Sequence, residues 1–162
     1  MTAEDRLVDA VESFRVEPGS FDHPAHVRLA FAYLRRHDLF EALARCRRAL
    51  SELARHLGAD GKYHETVTCA LVFLIHERME AMGPVGWEAF AAANPDLLRW
   101  KDGAFFDYYP DAVLGSELAR RTFVLPHADG RAEGTAATGA GSEARAGEVA
   151  SAEVASAAER TR

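Results

Sequence analysis

The stretch VTCALVFLI, residues 67–75, is apolar on every side of a helix, and a helix of that kind has to be surrounded by other elements. It lies within a segment, 62–82, that Gly83-Pro84 ends. A membrane span needs about 20 apolar residues, so the spacing predicts a buried core helix and not a transmembrane one. The chain is thereby predicted to be an all-α bundle built around this central helix.

Its expected partners follow from the pattern. The segment 39–57 places Leu39, Leu43, Cys46, Leu50, Leu53 and Leu57 in alternating steps of four and three, a helical seam that Gly58 stops. Before it, Asp22 or His23 as N-cap and Pro24 in the first turn open a helix running to about residue 36, with Val27, Ala30, Phe31 and Leu34 facing inward. A shorter amphipathic helix over 3–14 carries Leu7, Val11 and Phe14, and Pro18-Gly19-Ser20 breaks the chain after it. Downstream, helices are expected over 87–93, from Asn94-Pro95 to residue 100, and over 111–122. The aromatic cluster Phe105, Phe106, Tyr108 and Tyr109 reads as core or lid packing, as do Trp87 and Trp100.

From residue 127 onward only Val149 and Val154 exceed Ala among the apolar residues, so little there can offset ordering entropy. The fold expectation is therefore three long helices, an N-terminal helix and short C-terminal helices over residues 1–126, followed by a disordered low-complexity tail over 127–162. A formal net charge of −6 argues against nucleic acid, which needs concentrated Lys and Arg. Cys46 and Cys69 sit in helical apolar stretches and read as small hydrophobes, with no disulfide framework. No basic region followed by an apolar run opens the chain, which points to the cytoplasm and to no membrane partner.

Chemistry is expected where two helices begin. Three long helices joined by short connections pack as antiparallel neighbours, so the first and third start at the same end. This brings His23 and His26 beside Tyr63, His64 and Glu65, with His56 reaching the same end and His37 and His76 at the other. Two or three buried polar groups converging make either a metal site or a polar network. In the metal reading His23, His26, His64 and Glu65 are ligands of a divalent metal ion, with positions left open for substrate. In a metal-free reading, two helix N-termini with Arg28, Lys62 and a protonated His favour an anionic ligand, and His64 or Glu65 acts as general base. In a third reading the same groups only cap helix ends.

The strings FDHPAHVRLAFAYL, GKYHETVTCALVFLIHER, WEAFAAANPDLL, YYPDAVL and ARRTFVLP occur in that order between residues 21 and 126, within a stretch of resemblance covering roughly 14–126. In this they resemble a family of small bacterial all-helical proteins with HxxHV and KYHETxT motif stretches and no established activity. The resemblance implies that His23, His26, Tyr63, His64, Glu65 and Thr66 are its motif positions. Combined, these readings predict a small-molecule enzyme, metal-dependent, with His26, His64 and Glu65 as catalytic groups or ligands and His23 as a further ligand. Tyr63, Thr68 and Arg28 would contact substrate. The alternative is a non-catalytic helical module that binds a small ligand or partner; a homodimer through the seam helix is compatible with either.

Overall fold

A computed structural model describes residues 1–17 and 20–126. The expected break at Pro18-Gly19 and the expected tail over 127–162 lie outside the described residues. Among the described residues the chain forms seven α-helices and no strand: α1 (Ala3–Glu12), α2 (His23–Leu34), α3 (Leu39–His56), α4 (Glu65–Met82), α5 (Trp87–Ala93), α6 (Asp111–Leu114) and α7 (Glu117–Arg121), with 3-10 turns at Asp60–Lys62 and Ala104–Asp107. The all-α bundle read from the apolar pattern is what forms. No helix among the described residues is long and apolar enough to cross a membrane.

The central helix is α4. Thr66 to Val72 are buried without interruption, followed by Leu74 and Ile75, so α4 meets neighbours on nearly all sides. Helix α2 shares this character through Leu29 to Tyr33, and it packs on both α3 and α4. Helix α3 is amphipathic and lies outside them, but its buried face is turned from the expected seam. Ala42, Cys46, Ala49, Leu50, Leu53 and Ala54 are buried, whereas Leu39, Leu43 and Leu57 are only partly so. Small side chains there let the backbones approach closely, which a leucine stripe alone would not allow.

Local chemistry sets most boundaries. The Asp22 carboxylate accepts from the Ala25 N–H at 2.9 Å, and the Asp38 carboxylate accepts from the Glu41 N–H at 2.9 Å, capping α2 and α3. Helix α4 begins at Glu65 and not at Lys62, because His64 is its N-cap. Helix α1 stops at Glu12, two residues before the expected end, and Phe14 takes φ 56°, the left-handed cap conformation usually given to Gly.

Two expectations for the C-terminal part are corrected. No helix forms over 95–100: Asn94 and Asp96 instead accept from Arg78 of α4, at 2.8 Å and 2.7 Å, which holds this stretch as turns across the bundle. The single helix expected over 111–122 is two, α6 and α7, because Gly115 ends the first and the Ser116 hydroxyl caps the second. These short pieces are fastened to α4 by Thr66, whose Oγ1 donates to the Thr122 carbonyl at 2.7 Å and accepts from the Val124 N–H at 3.0 Å. Aromatic rings fill the space between: Phe105 stacks on Tyr109 at 5.1 Å, and Phe31 meets Phe90 at 4.9 Å.

Candidate functional site

The beginnings of α2 and α4 come together. His26, near the start of α2, and His64, the N-cap of α4, line one cavity of about 40 Å³, together with Tyr63 and Thr68. Its walls are mostly apolar: Phe21 from before α2; Cys46, Leu50, Leu53 and Ala54 from α3; Val67 and Leu71 from α4. Lys62 completes the lining. One water needs about 10–15 Å³ by this kind of measure, so the space holds a few waters or a very small organic group.

The polar atoms around this cavity fall into two sets. In the first, every polar atom is engaged by protein. His64 accepts the Val67 N–H on Nδ1 at 3.3 Å and donates from Nε2 to the Leu114 carbonyl at 2.9 Å, so the ring is neutral and both nitrogens are in use. Burial holds its pKa below the ordinary histidine value, and nearby Arg120 pushes in the same direction. Glu65 accepts from the Tyr63 hydroxyl at 2.7 Å on one oxygen and pairs with Arg47 at 2.5 Å on the other, the oxygen that the Cys69 thiol also approaches. Tyr63 therefore offers the cavity a ring face, and burial beside this carboxylate pushes its phenol pKa up.

The second set is unengaged. His26 donates from Nδ1 to the Asp22 carbonyl at 2.7 Å, which fixes the tautomer and leaves the Nε2 lone pair without a hydrogen bond among the described residues. Its ring rests against Phe21 at 4.3 Å. Desolvation, aided by His23, brings its pKa down to about 4 against the opposing pull of Asp22. Thr68 is 7% exposed, and its hydroxyl likewise has no hydrogen bond among the described residues. Cys46 lines the same space, with a thiol pKa that burial pushes up to about 12, so it stays a weak S–H donor.

The other expected site residues lie apart from the cavity lining. His23 is buried, donates from Nε2 to the Leu97 carbonyl at 2.8 Å and meets the Trp100 ring at 5.4 Å. Its Nδ1 is the buried side-chain atom left without a hydrogen bond among the described residues, and desolvation lowers the pKa of the ring. Arg28 forks onto Glu4 at 2.8 and 2.5 Å and lies over the Trp87 ring at 5.3 Å, facing α1. His56, expected at this end, stacks on Phe14 at 4.6 Å.

Whether a divalent ion fits can be judged from the donors. Metal ligation requires a lone pair on each ligand, and His64 has neither ring lone pair to give. Both Glu65 oxygens already accept, from Arg47 and from Tyr63, so a metal would share them with those partners. Among the described residues no group of three or more His, Cys, Asp and Glu is arranged to hold a metal ion. The residues do not fit a metal centre in this arrangement. Sequence reasoning did not single out Arg47 or the backbone carbonyls of Leu97 and Leu114, the partners that close these groups. No signal in the chain marks them, because all three act across elements far apart in sequence. No family model, curated protein or solved structure matches the chain.

Proposed function

We propose that the chain binds a small uncharged molecule in the cavity between α2, α3 and α4, selected by a hydrogen bond to His26 Nε2. The observation that carries this is the contrast between the two imidazoles lining the cavity: His64 has both nitrogens bonded to protein, and His26 keeps one lone pair for a guest. A pre-formed apolar space with few polar groups is the usual form of a ligand site. Neither imidazole favours an anionic ligand, since neutral His26 presents a lone pair and His64 offers no free N–H.

The metal-dependent enzyme expected from His23, His26, His64 and Glu65 would require His64 to give up the Val67 N–H that occupies its Nδ1 lone pair. The metal-free catalyst expected with His64 or Glu65 as general base finds both already engaged by protein, and His26, with a pKa brought down to about 4, is a weak base at neutral pH. The same property makes it a steady acceptor, uncharged over the whole physiological range. Binding without chemistry is the reading we adopt.

The test is titration of isotope-labelled protein with chloroform, a compact neutral probe. Amide shifts that saturate and cluster at Leu50, Leu53, Val67 and Leu71, and that vanish in the cavity-filling variant Ala54→Leu, support the reading. Shifts that grow linearly and spread over the surface, or that persist unchanged in Ala54→Leu, overturn it.

A further inference from the structure

The chemistry of the cavity can be read one step further, to the class of group it takes; this step rests on the ligand-binding reading above. Two residues of its mostly apolar lining carry a polar atom with no hydrogen bond among the described residues. One, His26 Nε2, can only accept, because the proton of its ring is held on Nδ1 by the Asp22 carbonyl. The other, the Thr68 hydroxyl, can donate, and it belongs to a residue more than nine-tenths buried that lines the cavity. In the first turn of a helix a threonine hydroxyl commonly turns back to a carbonyl of the preceding turn. Here it does not bond the His64 carbonyl, which accepts the Thr68 N–H at 3.0 Å. Both atoms remain open to water, so an organic occupant replaces that water without loss only if it matches both.

The candidate functional groups can be compared directly. A carboxylate would face the His26 lone pair with like polarity and would carry a full charge into a mostly apolar space. An ammonium could donate to His26, but the Glu65 carboxylate that would have to balance it is already paired with Arg47 and Tyr63. A ketone or ether accepts from Thr68 and leaves His26 unmatched. A hydroxyl does both at once, donating its proton and accepting another on the same oxygen. The volume limits what the hydroxyl is attached to: about 40 Å³ is far below the roughly 150 Å³ of a cavity that takes benzene, so the attached carbon skeleton is short and aliphatic.

We infer that the cavity takes the hydroxyl end of a short aliphatic alcohol, whose O–H donates to His26 Nε2 and whose oxygen accepts from the Thr68 hydroxyl. Leu50, Leu53, Val67 and Leu71 then surround the carbon end. Thr68 and His26 are specificity-determining residues in this scheme, and His64 and Tyr63 are walls.

Three probes of similar shape separate the possibilities: 2-propanol, which donates and accepts; acetone, which only accepts; and 2-chloropropane, which does neither. Each is titrated into isotope-labelled protein and followed at Leu50, Val67 and Leu71. The expected result is that 2-propanol saturates at a concentration at least about tenfold lower than the other two, the effect of one matched hydrogen bond. Thr68→Val, which keeps the shape and removes the hydroxyl, should weaken 2-propanol and acetone alike and bring acetone to near parity with 2-chloropropane. His26→Phe should instead bring 2-propanol to near parity with acetone, and Thr68→Val keeps the inference testable if His26→Phe does not fold. If all three probes saturate alike in the native chain, the cavity is a ligand site but the hydroxyl preference is overturned. If 2-propanol is preferred and neither substitution weakens its binding, the assignment to these two residues is overturned. If no probe saturates, with only water entering, the binding reading falls as well.

Discussion

His64 shows how a side chain that looks reactive in sequence becomes structural in the fold. It sits at the start of a helix, beside Glu65 and near a second histidine pair, and the string YHET suggests chemistry. In the structure its ring performs two tasks that hold the bundle together: it caps α4 through Val67 and ties that cap to α6 through Leu114. His64→Ala should therefore destabilise the chain by about 2–3 kcal/mol, combining a lost cap with an unpaired buried carbonyl. His64→Asn, which can still accept from the Val67 N–H, should recover about 1 kcal/mol of that, measured by urea unfolding. Equal losses in both variants would show that the cap contributes nothing. What the sequence made legible here was the meeting of residues 26 and 64; the bonding state of each ring was not, because it depends on carbonyls contributed by Asp22 and Leu114. His23 and His64, which are buried, and His26, which is partly exposed, also predict a pH dependence. Each titrates lower when folded than when unfolded, so on acidification the unfolded chain takes up protons first, and stability falls as the pH drops from about 6.5 toward 4. Allowing for its partial exposure, His26 should account for about 1–2 kcal/mol of this loss. The urea midpoint should drop between pH 7 and pH 5, and drop less in His26→Phe; an identical slope in that variant would remove His26 from the account.

At the level of elements, the long helices were readable and the short ones were not. Helix α3 announces itself through period and through Asp38 as cap, and α4 through its apolar run, so packing and local signals agree there. The stretch 95–100 carries an equally good local signal, Asn94-Pro95, yet no helix follows. A distant residue decides the matter: Arg78 on α4 takes both Asn94 and Asp96, side chains that would otherwise have capped a helix. The turn is then closed by Gly103. A Cβ there would lie 2.0 Å from the Arg99 carbonyl oxygen and 2.7 Å from that of Asp96, a clash with backbone and not with a flexible side chain. Gly103→Ala should cost about 3 kcal/mol or more in thermal or urea unfolding, consistent with backbone strain at a position built around glycine. A loss below about 1 kcal/mol would mean the turn readily adopts another form. The rotation of α3 toward Ala42, Ala49 and Ala54 was also hidden, since a leucine ladder reads as the interior until the closeness of the neighbouring helices is known.

For the whole molecule, the domain is closed by a segment that is not itself regular. Phe123 lies 5.7 Å from Phe73, the Val124 N–H bonds Thr66, and the Tyr109 hydroxyl donates to the Val124 carbonyl at 2.9 Å. Removing residues 123–162 should lower the melting temperature by several degrees, since two partly buried hydrogen bonds and one large apolar contact go with them. Removing only residues 129–162, whose composition offers little to bury, should leave it within about one degree. A large drop in the second truncation would mean that a docked segment had been cut. The position of this closing segment bears on how the chain is made. The helix that is apolar on all sides is complete at Met82, but Thr66 has no Thr122 or Val124 to hold until those residues exist. At about 5–20 residues per second, a ribosome needs roughly 2–8 s to supply them. For that interval the greasiest part of the newborn polypeptide lacks part of its cover, and it is the segment a chaperone would be drawn to first.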